Sequence, residues 1–121
     1  MITIEKITEI VAKTSNTSIE KIIGRSRKRE YVQPRFVVMK LTKEYTKDSL
    51  VNIGQYLGGR DHCSVIHAIQ TINDYISTKE NQPVESALYF SAKDNLDKYI
   101  LAVNGISQNI LLAPHSVPIF N

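Results

Sequence analysis

Apolar residues in the first two thirds of the chain recur at intervals of three and four, the period of an amphipathic helix. Ile4, Ile7, Ile10 and Val11 form a first stripe, with Thr3 placed to cap it. The polar run Thr14-Ser15-Asn16-Thr17 ends that helix. Ser18 caps a short second helix carrying Ile19, Ile22 and Ile23, and Gly24 stops it. A loop follows from Arg25 to Gln33, and Pro34 then stands at the first position of a third helix, where a missing N–H is harmless. That helix runs to about Lys47, with Val37, Val38, Leu41 and Tyr45 on its apolar side. Ser49 caps a fourth helix containing Leu50, Ile53, Tyr56 and Leu57, and Gly58-Gly59 ends it. Asp61 caps a fifth, whose stripe is Val65, Ala68, Ile69, Ile72 and Ile76.

Beyond a polar joint at residues 77–83 the pattern loosens. Ser91 and Asp94 have the spacing of a capping box, and Leu96, Tyr99, Ile100 and Val103 give an apolar face closed by Asn104-Gly105. The expected helix spans about residues 92–103. An isolated helix that short is marginal in water, so this face expects to pack on something. The final residues alternate between apolar and turn-forming types. The pattern predicts an all-α protein: a compact helical domain at residues 1–78 and a C-terminal extension at 79–121.

Composition narrows the class. The chain has 121 residues, enough for one helical core without covalent staples. The single cysteine, Cys63, excludes a disulfide framework and any multi-cysteine metal site. No apolar run approaches the ~20 residues that span a bilayer, and MITIEKITEI lacks the apolar segment of a signal peptide. The expected location is the cytoplasm, with no membrane partner.

Charge is uneven. Residues 1–60 hold 12 Lys/Arg against 6 Asp/Glu, and residues 61–121 hold 3 against 6. The densest basic stretch is Arg25, Arg27, Lys28 and Arg29, followed by Arg35, Lys40 and Lys43. Such a run serves either as a solvated face or as a phosphate-binding patch.

Ser49 to Ile76 has the outline of a helix-turn-helix: a short helix, a Gly-Gly-Arg turn, and a longer helix with a polar first turn. In that motif the second helix enters the major groove and its first residues meet base edges. Asp61 can accept from a cytosine amino group or cap its own helix. His62 can donate to a base or a phosphate, Cys63 offers a compact apolar surface to a thymine methyl, and Ser64 can bond an edge or a phosphate. The glycine pair removes side chains where two helices cross, and at least one glycine is expected at positive φ.

Residues 3–77, about 60% of the chain, resemble the C-terminal DNA-binding domain of the bacterial replication initiator DnaA, a Trp-repressor-like helical fold. The most specific stretch is Gly58-Gly59-Arg60-Asp61-His62-Cys63-Ser64-Val65-Ile66-His67-Ala68. Ser49-Leu50, Ile53-Gly54, Ser26-Arg27-Lys28-Arg29 and Pro34-Arg35 also fit. The resemblance implies double-stranded DNA as partner. It places Arg27 in a minor groove with Arg29 supporting the backbone, and Asp61, His62, Cys63 and Ser64 in the major groove. Lys43 and Ser49 would approach phosphates, and Arg25, Lys28, Arg35 and Arg60 would lie near the duplex. Relatives recognise short asymmetric boxes at replication origins and some promoters.

Three departures matter. Two threonines usually follow the signature histidine, where Cys63 and Ser64 stand. Proline and glutamate usually follow Ser-Leu, where Val51 and Asn52 stand. The ATPase module of the family is not in this sequence, which has no Gly-x-x-x-x-Gly-Lys-Ser/Thr loop. A nucleotide-driven initiator is therefore not expected. The expected function is sequence-selective DNA binding, as a small transcription regulator or replication accessory. The alternative is a protein-interaction module that kept the fold with weak, nonspecific DNA binding. In either case the extension could serve a protein partner or self-association.

Catalysis, cofactors and metals are not expected. Asp61, His62 and Cys63 have nucleophile-and-base chemistry, but neighbours at a helix start splay by ~100° per residue. His62 and His67 are five apart, not the four of a helical metal pair, and His115 is isolated. His67 reads as packed or cap-adjacent, Tyr56 and Tyr75 as core or boundary residues, and Phe36 as core or as a surface on which the tail packs.

Overall fold

The computed structural model describes the backbone of residues 2–78 and 84–112, and the side chains of 2–78 and 86–104. Among these residues are six helices and no strand: α1 (Ile4–Ser15), α2 (Ile19–Ile23), α3 (Arg29–Tyr45), α4 (Leu50–Tyr56), α5 (His62–Ser77) and α6 (Val84–Leu112). The fold is all-α.

Four starts are set by side-chain caps three residues ahead of the amide they satisfy. Thr3 accepts from the Lys6 N–H (3.2 Å), Ser18 from Lys21 (3.2 Å), Ser49 from Asn52 (3.1 Å) and Asp61 from Ser64 (2.9 Å). Helix α1 closes with Asn16 in the left-handed region, φ 55°. The Asn16 N–H donates to Lys13 O and the Thr17 N–H to Ala12 O, a Schellman closure. Gly24 ends α2 in an extended conformation, φ −68° and ψ −170°, rather than the left-handed one.

Two elements differ from expectation. Helix α3 begins at Arg29, so Pro34 lies in its second turn and forfeits one backbone bond there. The basic loop accordingly shrinks to residues 25–28. Helix α6 begins at Val84 and continues to Leu112, passing through Ser91, Asp94 and Asn104-Gly105. The Ser91–Asp94 pair is therefore helix interior, and the Asn-Gly pair is no stop. Residues 113–121, with His115, lie outside the described residues, as do 79–83 of the polar joint.

Helix α3 touches all five others and forms the axis of the core. Ile7 and Val11, Ile22, Val37 and Leu41, Ile53, Val65 and Ile72 are fully buried around it. Helix α6 lies against α1, α3 and α5 and adds Tyr89, Ala92 and Leu96 to the same core. Polar contacts fix its register. Tyr89 Oη donates to Glu44 (2.7 Å), Lys93 to Tyr45 Oη (2.9 Å), Tyr45 Oη to Asp97 (2.5 Å) and Asn95 to Thr14 (2.9 Å). Burial, with Glu44 beside it, pushes the Tyr89 phenol well above its usual range, so it stays a donor. No helix among the described residues is long and apolar enough to cross a membrane.

Because α6 completes the core, Leu96→Ala should cost about 2–5 kcal/mol in urea denaturation. Leu101→Ala on the same helix, at a 70% exposed position, should stay within about 0.5 kcal/mol.

Candidate nucleic-acid interface

The turn between α4 and α5 is built from backbone contacts that only glycine permits. A Cβ on Gly54 would run into the carbonyl oxygen of Arg60, whose own N–H donates to Gly54 O at 2.8 Å. Gly58 and Gly59 both have positive φ, 88° and 72°. A Cβ on Gly58 would meet Ile23 O and the Arg60 guanidinium, whereas Gly59 faces open space. The close helix crossing expected at the glycine pair is thus made chiefly by Gly54. A glycine inside a short helix, just ahead of a turn, was the sequence signal for it.

This turn delivers α5 with its first residues in solvent. Asp61, His62, Cys63 and Ser64 are all exposed. One Asp61 carboxyl oxygen is committed to the cap. That bond to Ser64 holds the carboxyl below its usual range, with the nearby His62 acting in the same sense, so Asp61 stays anionic. Cys63 Sγ lies 3.8 Å from His62 Nε2.

The basic loop leaves α2 beside this turn. Arg25, Arg27, Lys28 and Arg29 are exposed, Arg29 as the first residue of α3. The Lys28 N–H donates to Ser26 Oγ at 3.2 Å, a local turn bond. Arg25 and Arg27 of the loop and Asp61, Cys63 and Ser64 at the start of α5 line a single groove of about 590 Å³. Phe36 and His67 line it too, their rings edge-on at 6.0 Å between centroids. His67 is exposed rather than packed inside. Lys28, Arg29 and His62 are exposed but do not line the groove, nor do Lys43 and Ser49.

Two residues expected near the duplex are turned inward. Arg35 is 3% exposed and donates to the carbonyls of Ile22 (2.6 Å), Ser26 (2.9 Å) and Lys21 (3.0 Å). Burial and the nearby Arg60 push its pKa down to about 10, so it remains a cation at neutral pH. Its Nε, Nη1 and Nη2 each donate to a backbone carbonyl, and with Arg60 it also lines the groove. Arg60 is half-buried, donating to Leu57 O and to Gly24 O (2.9 Å). Burial and then Arg25 lower its pKa. Their charge reads as surface in the sequence because the carbonyls they serve are remote in the chain. Among the described residues no three His, Cys, Asp or Glu side chains form a metal site.

The family described as bacterial dnaA protein helix-turn-helix matches residues 4–72. The chain is also similar to proteins named chromosomal replication initiator protein DnaA. That of Lactobacillus helveticus is 41% identical over 86 residues, covering 71% of this chain and 18% of the relative. That of Brucella abortus is 43% identical over 86 residues, covering 69% and 17%. That of Agrobacterium fabrum is 43% identical over 84 residues, covering 68% and 17%. The chain therefore spans less than a fifth of the length of these relatives.

The backbone crossing makes a graded prediction. Gly54→Ala should destabilise the chain by about 3 kcal/mol in thermal denaturation, since backbone must move. Gly59→Ala should cost only about 1–2 kcal/mol, the strain of an L-residue at positive φ.

Proposed function

Since the chain belongs to the bacterial DnaA helix-turn-helix family, we propose that it binds double-stranded DNA sequence-selectively, in the cytoplasm, as a small transcription regulator or replication accessory. Helix α5 enters the major groove and presents His62, Cys63 and Ser64 to base edges. The loop at Arg25, Arg27 and Lys28 enters the adjacent minor groove. Lys43, Ser49 and Arg29 approach phosphates. The observation that carries this reading is that Arg25 and Arg27 line one groove together with residues of the first turn of α5. No catalytic step is involved: the matched segment is a helix-turn-helix, and the sequence has no phosphate loop.

Exposed arginines and lysines supply affinity by displacing counterions, so log K should fall steeply and linearly with log salt. Cys63 and Ser64 tune selectivity. Cys63 keeps an apolar contact without a hydroxyl, and Ser64 keeps a hydroxyl without a methyl. Each base contact is worth about 1–3 kcal/mol, so their loss or gain shifts preference more than binding itself.

The exposed Phe90, Leu101 and Val103 on α6 support a second reading. In it, the chain is a protein-interaction module with weak, sequence-independent DNA binding.

Selection from a random duplex pool separates the two. A reproducible recovered sequence supports selective binding, and recovery of none supports the second reading. On the recovered duplex, Arg27→Ala should weaken binding about tenfold or more with the melting temperature unchanged; an unaltered affinity removes Arg27 from the interface. His62→Ala should change the preferred bases more than the affinity for mixed-sequence DNA.

A further inference from the structure

Four carbonyls between Lys21 and Ser26, at the end of α2 and the start of the basic loop, accept from two guanidiniums. Arg35 takes those of Lys21, Ile22 and Ser26, and Arg60 takes that of Gly24. Arg60 also donates to Leu57 O in the α4–α5 turn, so one side chain bonds both DNA-facing segments. The missing Cβ of Gly58 leaves room for it. Among the described residues, no carboxylate pairs with either arginine. Burial opposes both charges, and the Arg25–Arg60–Arg35 sequence of cations opposes itself. Tying a loop to a turn does not need uncompensated cations. With the loop in one groove of DNA and α5 in the next, the strand between those grooves passes over the cavity. Its phosphates would offset that charge at a distance, without a direct bond to either guanidinium.

Given the DNA-binding reading above, we propose that Arg35 and Arg60 are positioning residues. They contact no base, but they fix the distance and angle between the basic loop and the first turn of α5, and so set the spacing of the two DNA elements read together. One inserted base pair moves those elements apart by about 3.4 Å and rotates them by about a tenth of a turn. A rigidly held pair of protein segments cannot follow.

The test uses the full chain and the duplex it selects from a random pool, with the minor-groove and major-groove positions located by interference mapping. Inserting one base pair between them should lower the preference over mixed-sequence duplex at least about tenfold. Arg60→Lys and Arg35→Lys should lower the preference for the uninserted duplex about tenfold and flatten the insertion penalty to within about twofold. Their affinity for mixed-sequence DNA and the slope of log K against log salt should stay unchanged. In the charge-removing variants Arg60→Gln and Arg35→Gln, a phosphate-contacting arginine would instead reduce that slope by about one, which overturns the positioning role. Retained preference and insertion penalty in both variants would also overturn it. If a variant fails to fold, the insertion measured on the unaltered chain decides alone, and absence of a penalty there sinks the inference. A chain that selects no sequence at all overturns the proposed function, and this inference with it.

Discussion

The DNA-facing half of the molecule depends on one backbone contact, the seating of Arg60 against α4 at Gly54. No side chain separates the two chains there, and the Arg60 N–H reaches Gly54 O at 2.8 Å. The contact fixes where the backbone leaves the Gly58-Gly59 turn. It thereby fixes the axis of α5 and the exposure of Asp61 to Ser64. It also aims the Arg60 side chain back across the turn at Gly24 O. A wider crossing would lose all three features together.

The second constraint is electrostatic. Helix α2 has only five residues, so most of its carbonyls have no partner within the helix. Two guanidiniums supply the missing donors, and these carbonyl dipoles partly offset the cost of burying charge. The arrangement satisfies the backbone, but it concentrates positive charge directly beneath the basic loop. Exposed Arg25, Arg27 and Lys28 then sit over a cationic foundation rather than a neutral one. Burial, and then the repulsion of Arg25 on Arg60 and of Arg60 on Arg35, lowers the pKa of both inner arginines.

Local chemistry made most of this fold legible. Thr3, Ser18, Ser49 and Asp61 each act through an amide three residues away, so the starts of α1, α2, α4 and α5 could be read directly. The groove residues Arg25, Arg27, Asp61, Cys63 and Ser64 were readable for a similar reason, since a basic run and a polar helix start are contiguous in the chain. What failed was non-local. Pro34 looks like a helix start, but α3 continues back to Arg29, with Arg35 pinned to carbonyls 13 and 14 residues earlier. Arg35 looks like a surface cation for the same reason. Ser91 and Asp94 look like a cap, but α6 runs through them because Tyr89, Ala92 and Leu96 fill a gap over α1 and α3.

That last point bears on how the extension relates to the interface. Residues beyond 78 are an appendage by sequence pattern, yet the 86–100 stretch of α6 is as much core as α1. Its docking bonds run to Thr14 on α1 and to Glu44 and Tyr45 at the end of α3. The groove is lined from α3, the basic loop, the turn and α5, and by no described side chain of α6. The groove and the docking bonds of α6 therefore lie in different parts of the same body. The described part of α6 meets the helices that carry the groove through the core it shares with α3 and α5 and through those docking bonds. Arg60 and Gly54 meet the turn directly, since the Arg60 N–H bonds Gly54 O and its guanidinium bonds Gly24 O and Leu57 O.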